Sequence, residues 1–297
     1  MLKRSLFFTN PAYINTRQEQ LVVQNKEGIE HTVPIEDIGF VVLEHPQITI
    51  SMPAMQKLNA NNVALVCCDE KHHPGAMLLN LDGHHLQGEL FRNQLQAPGP
   101  LKKQLWKQVV EQKILNQAAL LQKLKKPKGA LPQYAKTVNS GDTSNREAAA
   151  AREYWNSLFG DGFVRDRYGA HPNPFLNYGY IVLRAAVARA LVGSGLLPTL
   201  GIHHRNRYNA FCLADDIMEP YRPYVDKSVY DLWESGTDDM ILEKDTKAYL
   251  LQVLATDVKI GKVMRPLMVA LSITTASLAR CFNGETKKIT CPVMKTD

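Results

Sequence analysis

Three short stretches of this 297-residue chain set hard metal ligands beside residues that let a backbone or a phosphate come close. In GDTSNREAAAAR (141–152), Glu147 precedes four alanines. In LGIHHRNRY (200–208), His203 and His204 lie between Gly201 and the cations Arg205 and Arg207. In AFCLADDIMEPYRP (210–223), Asp215 and Asp216 precede Glu219, and Arg222 follows. Carboxylates with an imidazole suit a divalent cation such as Mg2+ or Mn2+. Such an ion polarises a phosphoryl oxygen and orients the hydroxyl that attacks it. Each stretch also has a plainer reading. Glu147 in a first helical turn complements the helix dipole. A histidine can be structural, and Arg222 can neutralise an acid cluster in which Asp215 and Asp216 share a helix face with Glu219. Taken one by one, the stretches leave both readings open.

The elements that must position these residues follow from periodicity. Residues 1–84 read as a β-rich domain, with short apolar runs at 5–9, 20–23, 38–43, 49–51, 63–68 and 76–79 between turn signals. Asn25–Gly28 reads as a hairpin turn between 21–24 and 31–33, and a short helix is predicted over 53–59. Phe7, Ile14 and Val23 are expected on outer faces. From residue 85 the apolar spacing becomes helical, which predicts an all-α-helical domain over 85–297 and hence an α+β chain. Helices are expected over 102–124, 146–158, 177–192, 228–235, 246–255 and 267–281, with a start or flank at 216–221 and a terminal strand or tail at 287–293. Ser144 or Asn145 is the expected cap of the helix bearing Glu147. Lys102, Lys103, Lys107 and Lys113 fall outside the apolar stripe of the 102–124 helix, and Lys123–Gly129 is a basic loop broken by Pro127.

Hydrophobic residues at 45% exclude a disordered chain, and a net charge of +6 tilts the partner towards a polyanion. Five cysteines, an odd number without zinc-knuckle spacing, fit reduced thiols. The N-terminus does not read as a signal peptide. The most apolar run, Ile181–Leu191, is interrupted by Arg184 and Arg189, so the expectation is a cytoplasmic protein with no membrane partner.

Together the three stretches resemble the CRISPR-associated integrase family, CRISPR-associated protein one. The resemblance lies in NREAAAAR around Glu147, GIHH ending at His204, DIMEPYRP around Glu219, and the 173–191 stretch NPFLNYGYIVLRAAVARAL. It is nearest to the version found beside type II systems. It implies that Glu147, His204 and Glu219 are the catalytic metal ligands, with Asp215 and Asp216 as outer partners that orient His204 or pair with Arg. It implies a Mg2+ or Mn2+ cofactor and a dimerising N-terminal domain. The partners implied are double-stranded DNA (prespacer and repeat), a second copy of the chain, the small CRISPR-associated protein two and the type II effector machinery. The implied reaction joins a prespacer 3′-hydroxyl to the CRISPR repeat by transesterification, with endonuclease activity alongside. Arg205, Arg207, Arg222, Lys123, Lys125 and Lys126 are the candidates for holding DNA phosphates. The alternative is a metal-dependent nuclease specific for branched DNA. A non-haem iron oxygenase would need His203 and His204 on one metal, although neighbours in an extended segment point apart. A basic scaffold would not need the three ligand types.

Overall fold

A computed structural model of the chain describes residues 3–70, 74–236 and 242–296. In the first unit, Met1–His84, alternating and continuous apolar runs build two sheets around one short helix. The first sheet contains β1 (Arg4–Phe8), β5 (Ile38–Leu43), β7 (Ala64–Cys68) and β8 (Pro74–Leu78), in that order. β5 has parallel partners on both sides, and its sequence IGFVVL is buried almost throughout, as a central parallel strand requires. The second sheet runs β4 (Glu30–Pro34), β3 (Gln20–Asn25), β2 (Ala12–Arg17) and β6 (Ile48–Ile50). Its β3–β4 hairpin turns at the expected residues. The Asn25 side-chain oxygen accepts from the Glu27 and Ile29 amides at 3.0 and 2.9 Å, and Gly28 takes φ +81°. Helix α1 (Met52–Ala60) starts at Ser51, whose side chain accepts from the Ala54 amide, with Pro53 in the first turn.

The core of this unit includes Ile14, Leu21, Ile35, Ile38, Val41, Leu58 and Leu65. Ile14 therefore does not lie on an outer face as expected: it is fully buried, and Val23 packs against the same core. The reason is β2, which the sequence reading missed. Its AYINTR mixes polar and apolar residues and becomes legible only once β3 and β6 pair with it.

The second unit, His85–Asp297, is helical. It contains α2 (Gln87–Gln96), α3 (Gly99–Lys123), α4 (Leu131–Lys136), α5 (Arg146–Phe159), α6 (Asn173–Gly193), α7 (Cys212–Met218), α8 (Arg222–Glu234), α9 (Lys244–Leu251) and α10 (Leu267–Phe282). The continuous apolar surface of α6 is covered by α7, α8, α9 and α10. Among the described residues α6 alone is long and apolar enough to cross a membrane, yet 83% of its most apolar window is buried inside this unit. The expected all-helical domain also holds a three-stranded antiparallel sheet of β9 (Asp257–Ile260), β10 (Val263–Pro266) and β11 (Pro292–Val293). Strands of two to four residues are too short to show a period of two.

One buried carboxylate ties three helices of the unit together. Asp226 on α8 accepts hydrogen bonds from Tyr154 of α5, at 2.7 Å, and from Tyr180 of α6. Burial pushes its pKa up to about 6, against the pull of the two tyrosine hydroxyls and of Arg222 and Lys113. A folded-state pKa above the unfolded value of about 3.9 means that the native state holds the proton more tightly. The contribution of Asp226 to stability is therefore full below about pH 4 and declines as pH rises through about 6. Asp226→Asn should remove this slope. Its unfolding free energy relative to wild type should improve by up to about 3 kcal/mol between pH 4 and pH 7, as read by urea denaturation at each pH. A difference independent of pH would show that Asp226 has the same pKa in the folded and unfolded states.

Candidate metal centre

Glu147 occupies the first turn of α5, but the capping differs from expectation. Asn145 adopts a left-handed backbone, φ +51°, and its side chain makes no cap. The carboxylate of Asp142 takes that role, accepting from the Arg146 and Glu147 amides at 2.9 and 3.0 Å. With the helix terminus neutralised by Asp142, the Glu147 side chain is available for another partner.

That partner is Lys113 of α3, whose Nζ lies 2.6 Å from Glu147 Oε1 and 2.5 Å from Glu219 Oε2. Lys113 is thus not on the solvated face that the stripe pattern suggests; it is buried. Burial pushes its ammonium pKa down, but Glu219 and Glu147 raise it by more, leaving it above the ordinary lysine value. Glu219 begins a 3-10 turn, Glu219–Tyr221, between α7 and α8. Burial raises its pKa and Arg222 and Lys113 together lower it further, so it stays ionised. Arg222 Nη2 is 2.9 Å from Glu219 Oε1, and its guanidinium lies over the Tyr180 ring at 4.5 Å. Glu219 Oε2 faces the Lys113 ammonium, so each oxygen of this buried carboxylate meets a different cation. Asn116, one turn along α3 from Lys113, fixes the turn by donating to the Pro220 and Pro292 carbonyls at 2.7 and 3.0 Å.

The His204 loop is organised by Asp216, which is fully buried on α7. Its carboxylate accepts from the amides of Ile202, His203 and His204 at 2.7, 3.0 and 3.2 Å, and it lies 2.6 Å from His204 Nδ1. That hydrogen bond raises the His204 pKa, burial lowers it, and the net direction is up. With Nδ1 engaged, Nε2 is the nitrogen left for a ligand, the usual pairing of a carboxylate with a metal-binding histidine. A Cβ on Gly201 would stand 2.4 Å from the His204 carbonyl oxygen and 2.7 Å from Asp216 Oδ2, so only glycine lets the loop close over Asp216. Gln94 of α2 holds the approach by bonding the Leu197 amide and the Leu197 and Leu200 carbonyls. His203 stacks on Trp106, with ring centroids 4.2 Å apart and planes 3° from parallel, while His204 meets the same ring edge-on at 5.7 Å. Asp215 faces Arg184, at 3.7 Å, and accepts from the Asn209 side-chain Nδ2 at 2.7 Å.

The candidate phosphate-binding residues separate in the structure. Arg222 is committed to Glu219. Arg205 sits close enough to Lys102 to lower the lysine's pKa, secondary to burial. Arg207 lies over the exposed ring of Tyr208. Lys126 lies over Tyr230 at 4.9 Å and near Trp233 at 5.9 Å. Lys125 takes a left-handed backbone where the chain leaves α3. Lys123 lines a cavity of about 460 Å³ together with Lys227, Lys259 and Lys295. The sequence reading left Lys113 on the solvated face with no role in the site, and it missed Asn116 and Gln94. The only signal of the last two is a polar residue among the apolar positions of a helix.

The donor chemistry fits a divalent ion. Two carboxylates from separate elements meet at one positive charge, and an imidazole has its second nitrogen left over. Among the described residues no three such side chains stand close enough to enclose an ion as they are, and the Lys113 ammonium lies between the two glutamates.

A strand-rich unit joined in sequence to a helical unit, in which Glu147 and Glu219 meet at Lys113 and His204 lies within electrostatic reach of Glu219, defines a two-part class of protein. The family profile described as "CRISPR associated protein Cas1" matches residues 6–256. A relative from Neisseria meningitidis serogroup C, named "CRISPR-associated endonuclease Cas1", is 41% identical over 264 residues, 88% of this chain and 86% of the relative. The chain therefore belongs to the Cas1 family. Its fold is shared with a casposase bound to its integration product, at TM-score 0.81 and 20% identity over 97% of this chain and 92% of the casposase. It is also shared with part of a Cas6-RT-Cas1–Cas2 complex, at TM-score 0.72 and 21% identity over 96% of this chain and 35% of the other.

Gly201→Ala should open the loop that Asp216 holds, because backbone and carboxylate oxygens rather than flexible side-chain ends meet the new methyl group. A loss of about 1–3 kcal/mol in unfolding free energy is expected, with faster amide exchange at 202–204. Wild-type protection of those amides in the variant would mean that the loop tolerates a side chain there.

Proposed function

We propose that this protein is a divalent-metal-dependent DNA integrase of CRISPR adaptation. It joins prespacer 3′-hydroxyl ends to the CRISPR repeat by transesterification and cleaves DNA as an endonuclease when water replaces the hydroxyl. The observation that carries this reading is the meeting of Glu147 and Glu219 at one cation, with His204 presented by Asp216. Glu147, His204 and Glu219 would hold Mg2+ or Mn2+. A bound ion supplies Lewis-acid polarisation of the phosphoryl oxygen and neutralises charge on the phosphate.

The chain's own residues do the rest. Asp216 sets the His204 tautomer and anchors its loop. Arg222, itself lying over the Tyr180 ring, holds Glu219 ionised. Arg205, Arg207, Lys123, Lys125 and Lys126 would position duplex phosphates without reading sequence. In the reaction the 3′-oxygen of the prespacer forms a bond to phosphorus while the bond to the 3′-oxygen of the repeat strand breaks. The proton of the attacking hydroxyl is lost to solvent, and the leaving oxygen gains one, so the number of phosphodiesters is unchanged.

Likeness to a casposase caught with its integration product, and to a chain assembled with Cas2, supports strand transfer and a small Cas2-type partner over a free-standing nuclease. The reading extends to a homodimer formed through residues 1–84, to cooperation with type II effector machinery, and to a cytoplasmic setting. The endonuclease name of the Neisseria relative favours a second reading, cleavage of branched DNA by the same residues.

Glu147→Ala, His204→Ala and Glu219→Ala should each reduce strand transfer into supercoiled repeat DNA by at least about 10³-fold, while duplex affinity in gel shift stays near wild type. His203→Ala, which removes the Trp106 stack and the edge contact with the His204 ring but no proposed ligand, should keep measurable transfer. Hydrolysis without joined product, in the presence of the Cas2-type partner, would favour the branched-DNA nuclease. Full activity in any one of the three alanine variants would remove that residue from the site.

A further inference from the structure

The cation that gathers the two glutamates belongs to the protein itself. Lys113 Nζ contacts one oxygen of Glu147 and one of Glu219, at 2.6 and 2.5 Å, from a third helix. The lysine and Glu219 are buried, so this is not a fluctuating surface pair. A divalent ion using the same two oxygens would have to stand where Nζ stands. A divalent ion and an ammonium in contact within a poorly screened site repel strongly. One of them must leave. Arg222 cannot take over the shared position, because it lies on the other oxygen of Glu219, Oε1, and against Tyr180.

We propose that Lys113 is the resident counter-ion of the metal-free site and that metal binding displaces it. This rests on the metal-ligand reading of Glu147 and Glu219 given above. In the metal-free protein Lys113 relieves the repulsion of two buried carboxylates and keeps them oriented for an ion. When the metal arrives, the ammonium swings away on its flexible four-carbon stem. Lys113 is thus a positioning residue that opposes metal affinity while preserving the site, a role different from that of a helix-packing lysine.

The test measures Mn2+ binding by the electron paramagnetic resonance signal of free Mn2+, on the full-length chain. Lys113→Met keeps the stem without the charge. It should bind Mn2+ about tenfold or more tightly than wild type, because the competitor is gone. Its metal-free melting temperature should fall, and saturating Mn2+ should raise it by more than it raises that of wild type. Lys113→Arg, which retains a cation, should not show the tighter binding. If Lys113→Met is unfolded without metal, Mn2+ must restore its near-ultraviolet circular dichroism; failure to restore it overturns the proposal. Binding by Lys113→Met that is equal to or weaker than wild type also overturns it, since the ammonium would then coexist with the ion. The metal reading fails separately. A wild-type affinity for Mn2+ that survives in the Glu147→Gln, Glu219→Gln double variant would show that the ion binds elsewhere, and the role of Lys113 would fall with it.

Discussion

Two carboxylates from different helices cannot meet in a poorly solvated site without a positive charge between them, and much of the helical unit is arranged to satisfy that condition. Lys113 supplies the charge from α3, and Arg222 adds a second on the far oxygen of Glu219. A buried carboxylate missing one of these partners costs several kcal/mol. The helices bearing Glu147, Lys113 and Glu219 are therefore held by shared electrostatics as well as by apolar packing. Asn116, on the same helix as Lys113, pins the turn that begins with Glu219 and the strand Pro292–Val293, so the lysine's own helix also fixes one of its partners.

The remaining acids divide by task. Asp142 closes the start of α5 and leaves Glu147 to reach inward. Asp216 accepts three backbone amides and the His204 ring, giving the GIHH segment one conformation. Asp226 sits beneath, joined to tyrosines of α5 and α6, and raises its own pKa through burial. Neighbouring carboxylates thus have opposite environments: Glu219 is kept charged by cations, while Asp226 is drawn towards neutrality. A charged Glu219 suits a metal ligand. A carboxyl half-neutral near pH 6 suits a structural link.

Much of this was legible in residue order. The alternating and continuous apolar runs located most strands of the first unit, and the helical stripe located α3, α5, α6 and α10. Glu147, His204 and Glu219 stood out because their neighbours, alanines, a glycine and an Asp-x-x-Glu-Pro run, are local and contiguous. The requirement for glycine at 201 could be anticipated in kind, as a tight backbone before the histidines. The oxygens that enforce it come from His204 and from Asp216, fifteen residues further along.

Tertiary structure alone decided which charges were spent inside. In a helix stripe Lys113 looks like any exposed lysine beside Lys102, Lys103 and Lys107, since helical position records only what lies on the same helix. Its burial depends on carboxylates 34 and 106 residues away in the chain. The division of Asp216 to His204 and Asp215 to Arg184, and the turning of His203 onto Trp106, likewise depend on packing between helices. Residue types and local spacing determined the fold class and pointed to the chemistry. Long-range electrostatic pairing, invisible to any periodic pattern, determined which lysine and which arginine the chemistry keeps for itself.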